Sequence, residues 1–464
     1  MPIRRLAIVL GILIGVQVAA HALIGPTGVV RAVESVAGAV GIRYNTLLVL
    51  LGTSLLGAAS GIIGSYAVLR RRSLVGDAVA HAALPGVAAA FLIIRERDFT
   101  WLLGGALAAG LLGSSCVSWL QRHTRIKADA AIGIVLSVFY GAGIALSGIA
   151  QNDPTGRQAG LDSFLLGKTA GMVSQDLVFI ALVGANIVAI TLLLYKEFKL
   201  LSFDSAFAAV QGFPVLALDA LMMALLVAAV VIGLPAVGVV LMASLIILPG
   251  VSARFWTERL SYMLVLSAIF GLATGAAGTA ASAHWSEFPA GAMIVLTGAA
   301  IFSVSMLFAP RRGVISRALS FASMRTRVAR QNLLRTLYDL SDPDPVARPS
   351  IPLDRVSAAR SWTASHVRRE LANAARRGQV ELSDGKVRLT GQGLSDAATV
   401  AKSRRLWELF LMRYADVAGD YADRDTTQLE QALPPALVAE LETTLHAEGR
   451  WPAPAKAHGS AGAA

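Results

Sequence analysis

The feature that most constrains the fold of this chain is a series of apolar stretches, each about 20 residues long, that runs from the N-terminus to about Phe308. A helix needs roughly 20 apolar residues to cross the hydrocarbon layer of a bilayer. Only 15% of the 464 residues are charged and 55% are hydrophobic, whereas about a quarter of a soluble protein is charged. The sequence therefore predicts an all-α polytopic membrane protein.

Hydropathy places about nine or ten spans along the chain, near 6–24, 45–69, 78–94, 100–120, 130–150, 176–195, 215–233, 236–251, 261–281 and 289–309. Only Gly233-Leu234-Pro235 separates the seventh from the eighth, so one of them is expected to be broken or re-entrant. The first stretch also has the pattern of a signal peptide, with Ala20-His21-Ala22 as a cleavage site. Because many spans follow, an uncleaved helix is favoured, and 1–40 is then one membrane helix and an outer loop.

Basic residues are concentrated in alternate loops between the predicted spans. Cytoplasmic loops of membrane proteins are enriched in Lys and Arg, so these loops predict an N-terminus and a C-terminal part inside the cell. The basic residues of these loops are Arg70–Arg72, Arg122 to Lys127, Lys196 with Lys199, Arg254 with Arg259, and Arg311-Arg312.

Two ionisable residues, Asp77 and His81, stand four positions apart at the start of the third predicted span. On a helix they share one face, and ionisable groups inside a membrane usually serve transport. A carboxylate with an imidazole suits Mn²⁺, Fe²⁺ or Zn²⁺, and further ligands must come from other spans or water. The spacing alone fits equally well a helix-capping acid beside a packed histidine. Cys116 is the only cysteine, which excludes a disulfide framework and cysteine-based metal centres.

After Pro310 the composition changes to that of a soluble segment. The proline-rich 341–353 is typical of a linker, and 361–382 predicts a pair of helices. Asp384-Gly385 between alternating apolar residues predicts a hairpin, and helices followed by a hairpin favour a winged-helix-like α(+β) domain. We expect a linker and winged-helix-like domain at 314–400, a helical segment at 401–449, and a disordered tail at 450–464.

The run from Arg70 to Gly86, Arg-Arg-Arg-Ser-Leu-Val-Gly-Asp-Ala-Val-Ala-His-Ala-Ala-Leu-Pro-Gly, resembles the signature of permease subunits of manganese/zinc/iron ABC importers. The resemblance covers about 41–313. Further motifs follow in the family's order, at 125–135, 161–167, 202–214, 237–254 and 288–292.

The resemblance implies an ATP-driven importer of a divalent transition metal in the bacterial inner membrane. The implied partners are ABC ATPase subunits, an extracytoplasmic metal-binding protein and a second permease copy, either identical or a paralogue. Membrane lipid is expected as a further partner of the spans. The chain has no nucleotide-binding sequence, so it is expected to be neither an enzyme nor the holder of a cofactor. Manganese is favoured over zinc and iron because oxygen and imidazole suit it and no thiolate is offered.

The resemblance also gives roles to individual residues. It implies that Asp77 and His81 line the metal path near the extracellular gate, whereas the charge bias places them in the cytoplasmic half of their span. It implies that 199–214 is the coupling segment that docks the ATPase, and the residue pattern agrees, although an interfacial helix would show the same apolar stripe. The coupling residues expected from this segment are Phe203, Asp204, Phe207, Val210, Gly212 and Phe213.

The C-terminal part resembles iron- or manganese-dependent repressors, in a winged helix at about 330–392 and in motifs at 405–411 and 422–431. Those repressors have metal ligands where this chain has Arg404, Thr427 and Gln431, and Glu430 alone keeps a ligand type. Nucleic acid is therefore not expected as a partner, and a regulatory or dimerisation role is favoured. The alternative function is a membrane-anchored, metal-responsive transcription regulator.

Overall fold

The structure, a computed structural model, describes residues 26–70, 72, 74–95, 98–152, 167–285, 287–341, 347–360, 362–415 and 435–447. The chain divides into two compact units, Met1–Arg317 and Ala318–Ala464. Several predictions lie outside the described residues: the span at 6–24 with its cleavage site, the motif residues 161–166, residues 342–346 of the linker, the repressor-like motif at 422–431 and the tail at 450–464.

The first unit is a bundle of helices. Eight of them are long and apolar enough to span a membrane, which confirms a multi-pass membrane protein over the part of the chain described. A ninth apolar helix, α10, is shorter. The elements are α1 (Pro26–Val40), α2 (Tyr44–Leu69), α3 (Val75–Ile94), α4 (Phe99–His123), α5 (Ala128–Gln151), α6 (Ser174–Leu193), α7 (Tyr195–Phe203), α8 (Ser205–Val210), α9 (Val215–Val237), α10 (Val239–Trp256), α11 (Leu260–His284) and α12 (Ala290–Phe308).

Helix α2 lies at the centre of the bundle, because 72% of its most apolar window is buried, against 17% for α5 and for α12. It meets α11 at glycines: a Cβ added to Gly57 would lie 2.2 Å from the carbonyl oxygen of Gly271. The two backbones can approach this closely only because neither residue has a side chain, a common device between membrane helices. A hydrogen bond between the hydroxyls of Thr53 and Thr279, 2.9 Å long, joins the same two helices.

The predicted break at Gly233-Leu234-Pro235 is wrong in position. Helix α9 continues through all three residues to Val237, and the chain turns at Gly238, whose φ is +85°. A proline removes only one helical hydrogen bond, which neighbouring helices make tolerable in a membrane protein. Glycine, by contrast, takes a positive φ without steric cost, so one residue is enough to separate α9 from α10.

Two further boundaries differ from the predictions. Helix α1 occupies 26–40, where an outer loop was expected. Helix α3 begins at Val75, three residues before the predicted start, so Asp77 lies in its first turn. The loop before α3 bonds back to α2, since Arg72 N donates to Ala67 O at 2.8 Å.

The second unit combines helices with a small antiparallel sheet in the order β1-β3-β2. Its core includes Leu337, Leu371 and Val387, all at most 1% exposed. The elements are α13 (Val314–Leu340, which begins before this unit), β1 (Ile351–Pro352), α14 (Leu353–Ala359), α15 (Ala364–Arg376), β2 (Val380–Ser383), β3 (Lys386–Leu389), α16 (Gly391–Phe410, continued by a π-helical turn at Leu411–Ala415) and α17 (Pro435–Ala447).

The predicted hairpin is present in this unit. Ser383 pairs with Lys386, and the turn residues Asp384 and Gly385 both have positive φ, as a type I′ turn requires. The predicted helix pair at 361–382 is wrong in extent: α15 ends at Arg376, and Val380–Ser383 pairs in the sheet instead. The expected boundary at 400/401 falls inside α16.

Candidate functional site

Asp77 and His81 lie one turn apart on α3, at the end of the helix that adjoins Arg72. His81 Nε2 is 3.7 Å from Asp77 Oδ1, within the range of an ion pair but too long for a hydrogen bond. The side chain of Asp77 is 36% exposed and that of His81 is 21% exposed. With a rise of 1.5 Å per residue, they lie within roughly the first 10 Å of α3.

The imidazole of His81 has one nitrogen without a partner. Its Nδ1 is buried and makes no hydrogen bond to any residue that the structure describes, although buried polar atoms are normally bonded. The ring packs edge-to-face on Tyr140 of α5, with 4.9 Å between the centroids. Within the described ranges no group of three or more His, Cys, Asp or Glu residues converges, so the pair offers two protein ligands to a metal ion.

The helix beside this pair, α5, has an exposed stripe of small residues. A Cβ added to Gly133 or Gly141 would meet no described atom within 4 Å, and Ser137 and Ala145, which continue the four-residue spacing, are also exposed. Small residues at this spacing are typical of contact faces between membrane helices. This face is therefore suited to another helix.

A buried acid that the sequence pattern did not single out, Asp219 in the second turn of α9, contacts three arginines. It is 3% exposed. Arg70 Nη1 lies 2.8 Å from Oδ1, Arg72 Nη1 lies 3.1 Å from both oxygens, and Arg122 Nη2 lies 3.1 Å from Oδ2. The signal was available, because Asp219 is an acid inside the predicted span 215–233, and such residues are rarely without a partner.

The Asp219 cluster also shows which helix connections lie at the same end of the bundle. It brings together the loop after α2, the end of α4 and the start of α9, so these three connections lie at one end of the bundle. The ion pair between Glu258 and Arg312, 3.3 Å long, likewise joins the loop after α10 to the residues after α12. Basic residues from loops far apart in sequence thus lie together, as the positive-inside pattern requires.

The predicted coupling segment forms two short helices, α7 and α8. Helix α7 is anchored by Phe198, which is fully buried and packs edge-to-face on Tyr66 at 5.6 Å. Asp204 begins α8, with its carboxylate accepting a hydrogen bond from Phe207 N at 2.8 Å.

Three large apolar side chains of this segment are exposed, beside exposed polar residues such as Asp204 and Gln211. Phe203, Phe207 and Val210 are 62%, 49% and 86% exposed. Phe213, expected in the same stripe, instead packs against the core of the bundle, and Gly212 before it has a φ of +79°. The predicted coupling surface therefore presents three exposed apolar side chains, next to a helix that Phe198 anchors in the bundle.

The membrane part of this chain is similar to a known protein family. Residues 43–309 match the model of the "ABC 3 transport family". The chain belongs to the ABC 3 transport family. The match includes the Asp77–His81 pair, Asp219 and the predicted coupling segment, and it confirms the resemblance to an ABC permease family.

Relatives in the ABC 3 family include proteins that match over different lengths. The manganese transport system membrane protein MntC of Bacillus subtilis is 38% identical over 414 residues, 89% of this chain and 94% of its own. That alignment is longer than the membrane unit and so continues into the C-terminal unit. The zinc transport system membrane protein TroC of Treponema pallidum is 43% identical over 59% of this chain and 91% of its own.

A solved structure is also similar. The complex of PsaBC from Streptococcus pneumoniae with Fab contains a chain that is 31% identical, with a TM-score of 0.52, covering 60% of this chain and 95% of that one. The resemblance of the C-terminal unit to metal-dependent repressors stays a prediction.

Proposed function

We propose that this chain is the permease subunit of an ATP-driven importer that moves a divalent transition metal, with manganese favoured over zinc and iron, across the bacterial inner membrane. The observation that carries this proposal is the Asp77–His81 pair, which lies inside a span of an ABC 3 family protein. One imidazole nitrogen of the pair has no partner among the described residues. A carboxylate and an imidazole are ligands that these metals share.

The path of the ion lies between two copies of the chain. One copy supplies two protein ligands, and a transition metal commonly takes four to six. Tyr140 packs on His81 and stands on α5, the helix whose small residues Gly133, Ser137 and Gly141 are exposed. If α5 of one copy meets α5 of the other across a two-fold axis, two Asp77–His81 pairs approach each other.

The orientation follows from the charged ends of the helices. The Asp219 cluster and the pair of Glu258 with Arg312 lie at loop ends rich in arginine, which is the pattern of the cytoplasmic side. Asp77 and His81 are near the same end of α3, so they act in the cytoplasmic half of the path. A metal-binding protein delivers the ion at the opposite end, and separate ABC ATPase subunits hydrolyse ATP.

The transport function is tested by uptake of radiolabelled metal. Cells that lack their own importers and express this chain with its ATPase and binding protein are expected to accumulate ⁵⁴Mn²⁺, and the signal requires an ATPase able to hydrolyse ATP. Unlabelled Mn²⁺ is expected to compete better than Zn²⁺ or Fe²⁺. Accumulation that continues with an inactive ATPase would contradict the importer mechanism. Stronger competition by zinc would change the proposed metal from manganese to zinc and leave the importer mechanism unchanged.

The coupling surface docks the ATPase through Phe203, Phe207 and Val210. Val210→Asp is expected to lower co-purification of the ATPase at least tenfold, because a charge in an apolar interface centre leaves a desolvated carboxylate unpaired. The matched control is Val173→Asp. This variant makes the same change at a 54% exposed position just before α6, whose opposite end leads into the coupling segment. Equal ATPase recovery with both variants would reject this surface.

The C-terminal unit is cytoplasmic and forms a winged-helix-like domain with a regulatory or dimerisation role. Its support is the order of elements: α14 and α15 precede the β2–β3 hairpin, and β1 completes the sheet. Repressor-like metal sensing is not part of the proposal, because Arg404 stands at a repressor ligand position and pairs with Glu408. Its cytoplasmic location follows from the proposed orientation, which puts the C-terminal end of α12 on the cytoplasmic side of the membrane.

A further inference from the structure

A groove between α4 and α9 has no part in the proposed transport path. It encloses a cavity of about 610 Å³. Arg122, His123 and Trp119 line one end, and Leu111 and Met223 line the other. From Arg122 to Leu111 the groove extends roughly 16 Å along α4, at 1.5 Å per residue.

The polar end of the groove keeps excess positive charge. Three arginines face the single carboxylate of Asp219, both of whose oxygens already accept contacts from them. Burial lowers the pKa of Arg70, and the positive charges of Arg72 and Arg122 lower it further, although Asp219 acts in the opposite direction. Arg122 is the most accessible of the three, with 42% of its side chain exposed against 14% and 18%.

The shape and chemistry of the groove distinguish between occupants. A second copy docking here across a two-fold axis would bring two excesses of positive charge together, which is unfavourable. An anionic lipid has the complementary form, with a phosphate for the basic end and an acyl chain for the apolar end. Trp119 is 58% exposed, and tryptophan is enriched at the level of lipid headgroups.

We propose that this groove binds an anionic phospholipid of the cytoplasmic leaflet, with its phosphate at Arg122 and an acyl chain along α4 and α9 toward Leu111. The leaflet follows from the orientation proposed above. Basic pockets between membrane helices on the cytoplasmic side are suited to anionic headgroups. The site is separate from the exposed stripe of α5.

The test is native mass spectrometry of the full-length chain in detergent, titrated with palmitoyl-oleoyl phosphatidylglycerol or with the matching phosphatidylcholine. We expect preferential retention of phosphatidylglycerol. Arg122→Gln is expected to weaken that retention about fivefold or more, as a contribution of about 1 kcal/mol per basic residue implies. Arg125→Gln removes the same charge from an exposed position outside the groove and is expected to change nothing.

A second pair of variants tests the shape without changing charge. Ser115→Phe fills the groove from an exposed lining position and is expected to reduce retention of phosphatidylglycerol. Cys116→Phe places the same ring at an exposed position outside the lining and is expected to leave retention unchanged. Equal losses within either pair would overturn the site. Displacement of the lipid by millimolar inorganic phosphate would also overturn it in favour of a free anion. Because the readout is bound lipid, a failed uptake assay leaves this result unaffected.

Discussion

Asp77→Asn and His81→Gln are each expected to reduce uptake of ⁵⁴Mn²⁺ by roughly tenfold to a hundredfold. Even changes that only disturb the orientation of a metal ligand cost that much in metal affinity, and these variants remove a ligand. Both substitutions nearly preserve side-chain volume, so the packing of α3 against α4 and α5 is retained. Protein level and ATPase co-purification are expected to match those of the unchanged chain.

The control for this experiment is Asp98→Asn. Asp98 caps α4 by accepting a hydrogen bond from Thr100 N at 2.8 Å, and asparagine caps a helix about as well, so uptake should be unchanged. The double variant of Asp77 and His81 is expected to be no worse than the stronger single variant, because both act on one ion. Uptake of every metal at the original rate in both single variants would refute the assignment of the pair to the transport path.

Asp219→Ala is expected to destabilise the membrane unit by about 3 kcal/mol, the cost of leaving buried charges without their partner. Arg70 and Arg72, whose side chains are only 14% and 18% exposed, would lose the carboxylate that faces them. The expected result is a lower midpoint of thermal unfolding in detergent, measured by the loss of the monodisperse peak in size-exclusion chromatography.

A matched control separates burial from charge. Glu258→Ala removes an acid whose pair with Arg312 is 3.3 Å long but 57% and 37% exposed. Exposed ion pairs contribute at most about 1 kcal/mol, so this variant should unfold close to the unchanged chain. Equal shifts of the midpoint for Asp219→Ala and Glu258→Ala would show that the Asp219 cluster is no more important than a surface pair.

The sequence was sufficient for features that depend on local pattern. Spans follow from the length of apolar runs, the Asp77–His81 face from the helical period, and the hairpin from Asp384-Gly385. Each of these needs only neighbouring residues, and the structure agrees with each in kind. The start of α3 and the end of α9 were missed by a few residues, because hydropathy averages over a window and does not register where one backbone angle changes.

Features that depend on packing were not predictable in this way. Arg70, Arg122 and Asp219 are distant in sequence, and only the folded bundle brings them together. The small residues of α5 are visible in the sequence, but their exposure is not, and exposure is what makes them a candidate contact face. Phe213 belongs to the same apolar pattern as Phe207. The chain changes direction at Gly212, which has a positive φ, and Phe213 then packs against the core.

The Asp219 cluster also has a consequence for how the protein is made. The N-terminal part of a chain is synthesised first, so Arg70, Arg72 and Arg122 leave the ribosome well before Asp219. In the orientation proposed above, these positive charges favour the cytoplasmic side for their loops while α2 to α4 insert. Once α9 is in place, the same arginines contact its carboxylate and so fasten a late helix to early ones.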